Sequence, residues 1–466
     1  MGRPGATMTA GERFARFASS LGYDDVPGDV ADAAKLHLLD AIGCGLAAEA
    51  VGEATHARDA MAEGGGEGEA SVIGLDRRLP AASAAFANGT LCHGLDFDDT
   101  HSDSVCHVSA VVCPAAVASA EAARSPGRDL LAAIIAGNEI VARIGMVASG
   151  EFHRRGFHPT AVCGVFGAAA AAGRLAGLDA RGIASALGIA GSMASGLFAY
   201  LEDGSATKPI HAGWAAHGAV VAAQLSRQGA AGPAAVLEGR FGLFHAYLDR
   251  RDVDLGSRLV DLGERWETLR ISYKPYPACH FMHGSLGATE TLVRAVDPEE
   301  VEEIVVAIPE PGVSLVLEPE AAKVAPRTAY EAKFSLQYST AALLCRGTLG
   351  VGDYVRDAIG DARVVALARK VRYEAREFDT YPRAFPGGVR VRLRDGRTLE
   401  ADLLHQKGSP ENPFSRDDVL AKFRANASLA LDDDAVEELE DAVLGLESED
   451  DVRVAFASLA RERIPA

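Results

Sequence analysis

The chain has 466 residues, 48% of them hydrophobic and 24% charged, the make-up of a soluble globular protein long enough to bury two cores. Its formal net charge of −19 argues against nucleic acid and anionic membrane surfaces as partners, though not against an anionic small molecule in a locally positive pocket. Seven cysteines, an odd number with no C-x-x-C pair, read as free thiols in a reducing cytoplasm.

Pro27-Gly28-Asp29 precedes a helical pattern reaching about Ala48, with Asp29 the expected N-cap. This first apolar stretch carries Lys35, His37 and Asp40, which fits neither a signal peptide nor a membrane helix. Gly64 to Gly68 is an acidic, glycine-rich loop; it has no Lys or Ser/Thr partner, so it is not a phosphate loop. From Leu79 to Leu95 small apolar residues recur at helical spacing, with an interruption expected at Asn88-Gly89, and Pro114 to Ala122 resumes the pattern. Further helices are expected over Asp129 to Ala148, Ala161 to Ala176, Ala180 to Met193 and His211 to Gln228, dense in Ala and Gly and so able to approach closely. About the first 265 residues are therefore read as helical.

The character then changes. Val301 to Ile308 and Gly387 to Leu404 alternate apolar and polar residues, the second around an Asp395-Gly396 turn that signals a hairpin. Val371 to Phe378 is a further expected strand, and Ser335 to Leu344 a helix between them. An α+β domain thus spans residues 268–405, and Pro413 onward returns to helices, with Asp432-Asp433-Asp434 suited to a helix N-terminus. The fold class is mainly α.

The densest chemistry lies between Asn88 and His107, where Asp96, Asp98, Asp99 and Asp103 mix with His93, His101 and His107. So many groups that are costly to bury, set between apolar runs, suggest a built site. Spacing alone leaves metal binding, proton transfer and loop tying all open. Gly156-Phe157-His158-Pro159-Thr160 places His158 at a helix start, where free N–H groups attract anions. Lys208-Pro209-Ile210-His211 sets a cation where the helix dipole disfavours one, which leans towards an anionic ligand. Tyr273-Lys274-Pro275-Tyr276-Pro277-Ala278-Cys279-His280 stands at the junction of the helical and α+β regions, a favoured kind of place for ligands. His93 and His101 are read as structural, bonded to backbone or to the aspartates, and His211 and His217 as packing residues.

These segments, N-G-x-x-x-H-x-x-D-F-D-D-T-H, G-F-H-P-T, K-P-I-H-A-G and K-P-Y-P-A-C-H, together with Tyr330-Glu331-Ala332-Lys333-Phe334-Ser335, resemble the MmgE/PrpD family over nearly the whole chain. That family includes 2-methylcitrate dehydratases, cis-aconitate decarboxylases and iminodisuccinate epimerases. The resemblance implies a large helical domain built from both chain ends (1–267 and 406–466), a smaller α+β lid (268–405), a homodimer, and chemistry without metal or organic cofactor. Carried over by motif, the pocket falls on Asp96, Thr100, His107, His158, Lys208, Lys274, His280 and Tyr330.

Such chemistry builds negative charge beside a carboxylate that is already anionic, so a metal-free site needs lysines, helix N-termini and hydrogen-bond donors. The implied roles are His158 as base and His107 as acid, Asp96 orienting a histidine, and Lys208 and Lys274 clamping carboxylates. Thr100, His280 and Tyr330 would bind substrate. The expected activity is that of a lyase on a small di- or tricarboxylate, by dehydration or decarboxylation, with epimerisation of a dicarboxylate as the alternative. Two rivals stand further off. Asp98-Asp99-Thr100-His101-Ser102-Asp103 is loosely similar to the magnesium-binding aspartates of isoprenoid synthases, but an aromatic content of 6% and the lack of a convincing second acidic motif weigh against it. A non-catalytic carboxylate binder would show the same motifs.

Overall fold

The computed structural model describes residues 8–460. The chain divides into two compact units: one runs to Gly94, resumes from Asp98 to Ile271 and again from Val419, and the other comprises Leu95–Phe97 and Ser272–Asp418. The architecture is mainly α, with little strand.

The first unit is helical. Gly28–Ala50 starts at Pro27 rather than at the expected Asp29. Asp29 lies inside the first turn, where its carboxylate accepts from the Val30 N–H (3.0 Å) and suits the dipole. Ala81–Cys92 runs unbroken through Asn88-Gly89, against the expected interruption. The reason is in the side chain: Asn88 Oδ1 accepts from the Ile73 N–H (3.0 Å) and its amide donates to the Ser71 carbonyl (2.9 Å). An asparagine whose polar atoms are engaged elsewhere does not compete with its own helix. Ser109–Ala123, Gly127–Val147, Pro159–Leu175, Ala180–Ala190 and Lys208–Arg227 follow, near the expected bounds. Gly127–Val147 is long and apolar enough to cross a membrane, yet it is almost wholly buried within its unit as a core helix.

Glycine sets how closely these helices cross. A Cβ on Gly213 would lie 2.1 Å from Thr90 Oγ1 and 2.4 Å from the Phe86 carbonyl, so Lys208–Arg227 rests backbone to backbone on Ala81–Cys92 at Gly89. Gly137 and Gly167 make a second such crossing, where a Cβ on Gly167 would meet the Gly137 carbonyl at 2.3 Å. The seven cysteines are free, and six of them are buried.

The second unit holds a four-stranded sheet in the order Val371–Ala375, Val301–Ile308, Gly387–Leu393, Thr398–Leu403. The first pair is parallel and the others antiparallel, with Asp395-Gly396 at the hairpin turn. Alternation does the sorting: Val301, Ile304 and Val306 with Val389, Val391 and Leu393 face the core. Residues from helices His283–Leu292 and Leu336–Arg346 complete that core, the second helix capped by Ser335, which accepts from the Tyr338 N–H.

Gly213→Ala should destabilise the protein by about 1–3 kcal/mol, because a methyl group cannot fit without parting two helices. Urea titration reads this as a lower midpoint at unchanged slope; an unshifted midpoint would show that the crossing yields freely.

Candidate active site

In the first unit the helix Ala81–Cys92 ends on His93, and the chain re-enters at Asp98. Asp98 is fully buried. Its carboxylate lies 2.8 Å from His93 Nδ1 and 3.3 Å from His107 Nδ1, so one aspartate serves two imidazoles. Burial alone would raise its pKa, but the two bonded imidazoles win and hold the carboxyl well below the usual range. His107 Nδ1 also lies 3.3 Å from Thr100 Oγ1.

The loop that delivers His107 is tight. His101 and Cys106 pair across a four-residue turn, and Val105 inside it sits at φ +57°, a conformation that β-branched residues rarely adopt. His107 itself is fixed through its N–H, which donates to Thr160 Oγ1 (3.0 Å) in the helix behind His158. Asp99 accepts from the Ser109 N–H and hydroxyl and lies 2.9 Å from His37 Nδ1, tying down the start of the next helix. His101 bonds Glu267 (3.2 Å) and Ser104 rather than the aspartates, and Asp103 meets Arg270.

His158 is the residue before Pro159–Leu175 and makes no side-chain cap bond. Its ring stacks at 5.5 Å on His93 with planes 22° apart, lies 6.3 Å from His107, and brings Nδ1 within 3.3 Å of His211 Nδ1. Two ring nitrogens at that distance share one proton, so His158 and His211 are not both imidazolium. Burial, then the positive charge of His93, Lys208, His211 and His107, drives the His158 pKa far down; burial with His93 and Lys208 takes His211 to about 4. Lys208 opens its helix as expected and is itself buried.

His93 bonds an aspartate, as expected of it. Read as structural, it lies in the middle of the cluster, and its buried Nε2 has no hydrogen-bond partner among the described residues. With Asp98 on Nδ1, the free nitrogen is the acceptor of a neutral ring or a donor of a charged one. A buried polar atom in that condition is uncommon and points to a ligand. The signal available beforehand was the spacing of His93 and Asp98 across the exit of one helix. His93, His107 and His158 each offer a nitrogen within 4.8 Å of the others, so this donor set could also hold a divalent ion.

In the second unit Lys274 is fully buried, and its ammonium donates to the Asp96 carboxylate (2.6 Å) and the Asp96 carbonyl (2.8 Å). Asp96 adopts φ +52°, which turns its carbonyl and carboxylate onto one lysine. Asp98, two residues on, bonds two imidazoles, His93 and His107, a role that sequence reasoning did not assign to it. His280 precedes the helix His283–Leu292 and contacts Gln406, and Tyr330 lies on Ala329–Lys333 with its ring 5.0 Å from Phe334.

Residues 12–256 match the MmgE/PrpD N-terminal domain and residues 276–448 the MmgE/PrpD C-terminal domain. The chain belongs to the MmgE/PrpD family. Among its relatives are a cis-aconitate decarboxylase-like protein of Aspergillus oryzae, 30% identical over 98% of both chains, and the cis-aconitate decarboxylase of Aspergillus terreus, 29% identical over 94% of this chain and 93% of that one. The human cis-aconitate decarboxylase is 34% identical over 81% of this chain and 79% of its own.

The depressed pKa values carry a sign for stability. The folded protein resists protonating His158 and His211, so what they contribute is complete above about pH 6.5, the ordinary value, and is lost as pH falls towards 4. Asp40, raised by burial to about 6 beside Lys422, acts in the opposite sense over part of that window. The comparison is therefore between parent and His211→Asn: unfolding titrations should show that the variant loses less stability between pH 6.5 and 4. Parallel profiles would remove His211 from this linkage.

Proposed function

We propose that this protein is a cofactor-independent carboxy-lyase acting on cis-aconitate or a closely related tricarboxylate. The observation that carries the reading is the buried group of His93, His107 and His158 around Asp98, with an unpartnered ring nitrogen inside it. The names of the relatives favour decarboxylation over dehydration and over the epimerase alternative.

The reaction follows from the substrate's own bonds. The C–C bond to one carboxylate breaks and CO2 leaves. The released pair forms a new double bond, and the old one shifts its electrons onto the carbon beside a remaining carboxylate. That carbon then takes a proton. The substrate's conjugated carboxylate is the electron sink, so a metal ion is not needed, although the same nitrogens would suit one. What the site must supply is a positive field for the anion, from Lys208 and the imidazoles, and a placed proton. His107, bonded to the ionised Asp98, is assigned as the proton donor, since a neighbouring carboxylate favours the charged ring. His158, driven neutral, is assigned as a second group at the same carbon, a base that can take a proton from the product while His107 returns one. Lys274, His280 and Tyr330 are proposed as partners of the substrate's other carboxylates, with Thr100 holding His107.

Proton NMR of the purified protein with cis-aconitate, 2-methylcitrate, citrate and iminodisuccinate should show CO2 loss from cis-aconitate. Water eliminated from 2-methylcitrate instead would make it a dehydratase. His107→Gln should slow turnover by 10²–10⁴-fold, the usual worth of a placed acid. His158→Gln should abolish deuterium exchange from solvent into the decarboxylated product, and exchange at the parent rate would overturn its role. Exhaustive chelation should leave turnover unchanged; loss restored by zinc or magnesium would replace the cofactor-free reading with a metal held by the three histidines.

A further inference from the structure

We propose that Gln406 fixes the tautomer of His280, so that this ring presents Nδ1–H as a hydrogen-bond donor to a carboxylate of the substrate. The substrate half of this rests on the reading above that His280 binds substrate; the tautomer half does not.

The argument is one of donors and acceptors, all within the second unit. Gln406 is fully buried, in the segment after the strand Thr398–Leu403. Its Oε1 lies 3.0 Å from the backbone nitrogen of Phe385. A backbone N–H can only donate, so that atom of the amide must be the oxygen, and the orientation of Gln406 is settled by the bond. The amide nitrogen then faces His280 Nε2 at 3.2 Å. An amide NH2 has no acceptor capacity, so His280 Nε2 must be the acceptor and carry no proton. The remaining proton of the neutral ring belongs to Nδ1. A charged ring would set two N–H groups head to head at this contact.

The surroundings agree with a ring held for its direction. His280 is buried; its ring lies 4.5 Å from Phe385 and 5.0 Å from His283. His283 is itself fixed, since Nε2 lies 3.0 Å from the Ala278 carbonyl and must donate there. A histidine side chain free in water favours the other tautomer, so Gln406 has a task that an apolar residue of the same size could not perform. In this reading His280 is not an acid or base: Gln406 is a positioning residue and His280 a fixed donor.

The test is long-range 1H–15N NMR of the full chain labelled with 15N-histidine, without ligand, with the His280 signals identified by their loss in His280→Gln. The parent should show an unprotonated Nε2 and a protonated Nδ1. Gln406→Glu keeps an acceptor for the Phe385 N–H but can only accept from the ring, so Nε2 should become protonated. Gln406→Leu should release the ring into both tautomers and raise KM for cis-aconitate about tenfold, the usual worth of one hydrogen bond to a charged group, with kcat changed far less. A parent with Nε2 protonated, or a ring spectrum unchanged in Gln406→Glu, overturns the tautomer assignment. The expected spectra with KM unmoved in Gln406→Leu overturn the substrate contact. A parent inactive on every acid tried would count against the proposed activity, while the spectra would still decide the tautomer.

Discussion

An aspartate with no access to water must be held ionised by its neighbours or take up a proton, and Asp98 is held by two imidazoles at once. Much of the helical unit's site is arranged around that bond. It ties the end of Ala81–Cys92, through His93, to the loop that delivers His107. It sets one nitrogen on each of the two rings. It also helps define the electrostatic contrast of the cluster: imidazoles bonded to a carboxylate on one side, and on the other His158 and His211, which face each other and Lys208 and are pushed towards neutrality. Removing Asp98 would strip two buried imidazoles of a hydrogen-bond partner at once, so its loss would be felt in folding before it was felt in rate.

The contrast reconciles a net charge of −19 with the polyanionic substrate proposed above. Charge summed over the surface governs solubility and long-range encounter; charge within a few ångströms of a buried group governs binding. The acidic residues near the cluster are engaged, Asp98 by histidines, Asp99 by Ser109 and His37, and Asp103 by Arg270. Lys208 adds positive charge at a helix start, where the backbone N–H groups already supply some.

Sequence patterning carried much of the fold. The alternation in Val301–Ile308 and Gly387–Leu403 located three strands and their hairpin, because a half-buried strand must alternate. Helix bounds held to within a few residues wherever Pro or Gly marks a start. At Asn88-Gly89 composition misled, since a breaker residue whose amide is satisfied by Ser71 and Ile73 breaks nothing. In the site, motifs brought forward His107, Thr100, His158 and Lys208, which lie in one unit. They did not bring forward Asp98, because two carboxylates two residues apart are distinguished only by the turn at Asp96, a backbone angle that sequence does not print. His93 looked like a bystander of the aspartates, and Gln406 carries no period or charge and lies 126 residues from the histidine it bonds.

The crossing of Gly89 on Gly213 has a consequence for tolerance. Gly89 sits one turn before His93, and Gly213 two residues after His211. The spacing between those imidazoles is therefore set in large part where two main chains touch, with the His158 ring between them. Aliphatic residues elsewhere in the helical core could be exchanged, shrunk or loosened by heat, and the protein would grow weaker while the spread of its imidazoles stayed the same. Drift in the core and the tuning of the reaction are thereby uncoupled: a lineage can wander far in sequence through its hydrophobic interior while the two small residues at this contact hold the gauge.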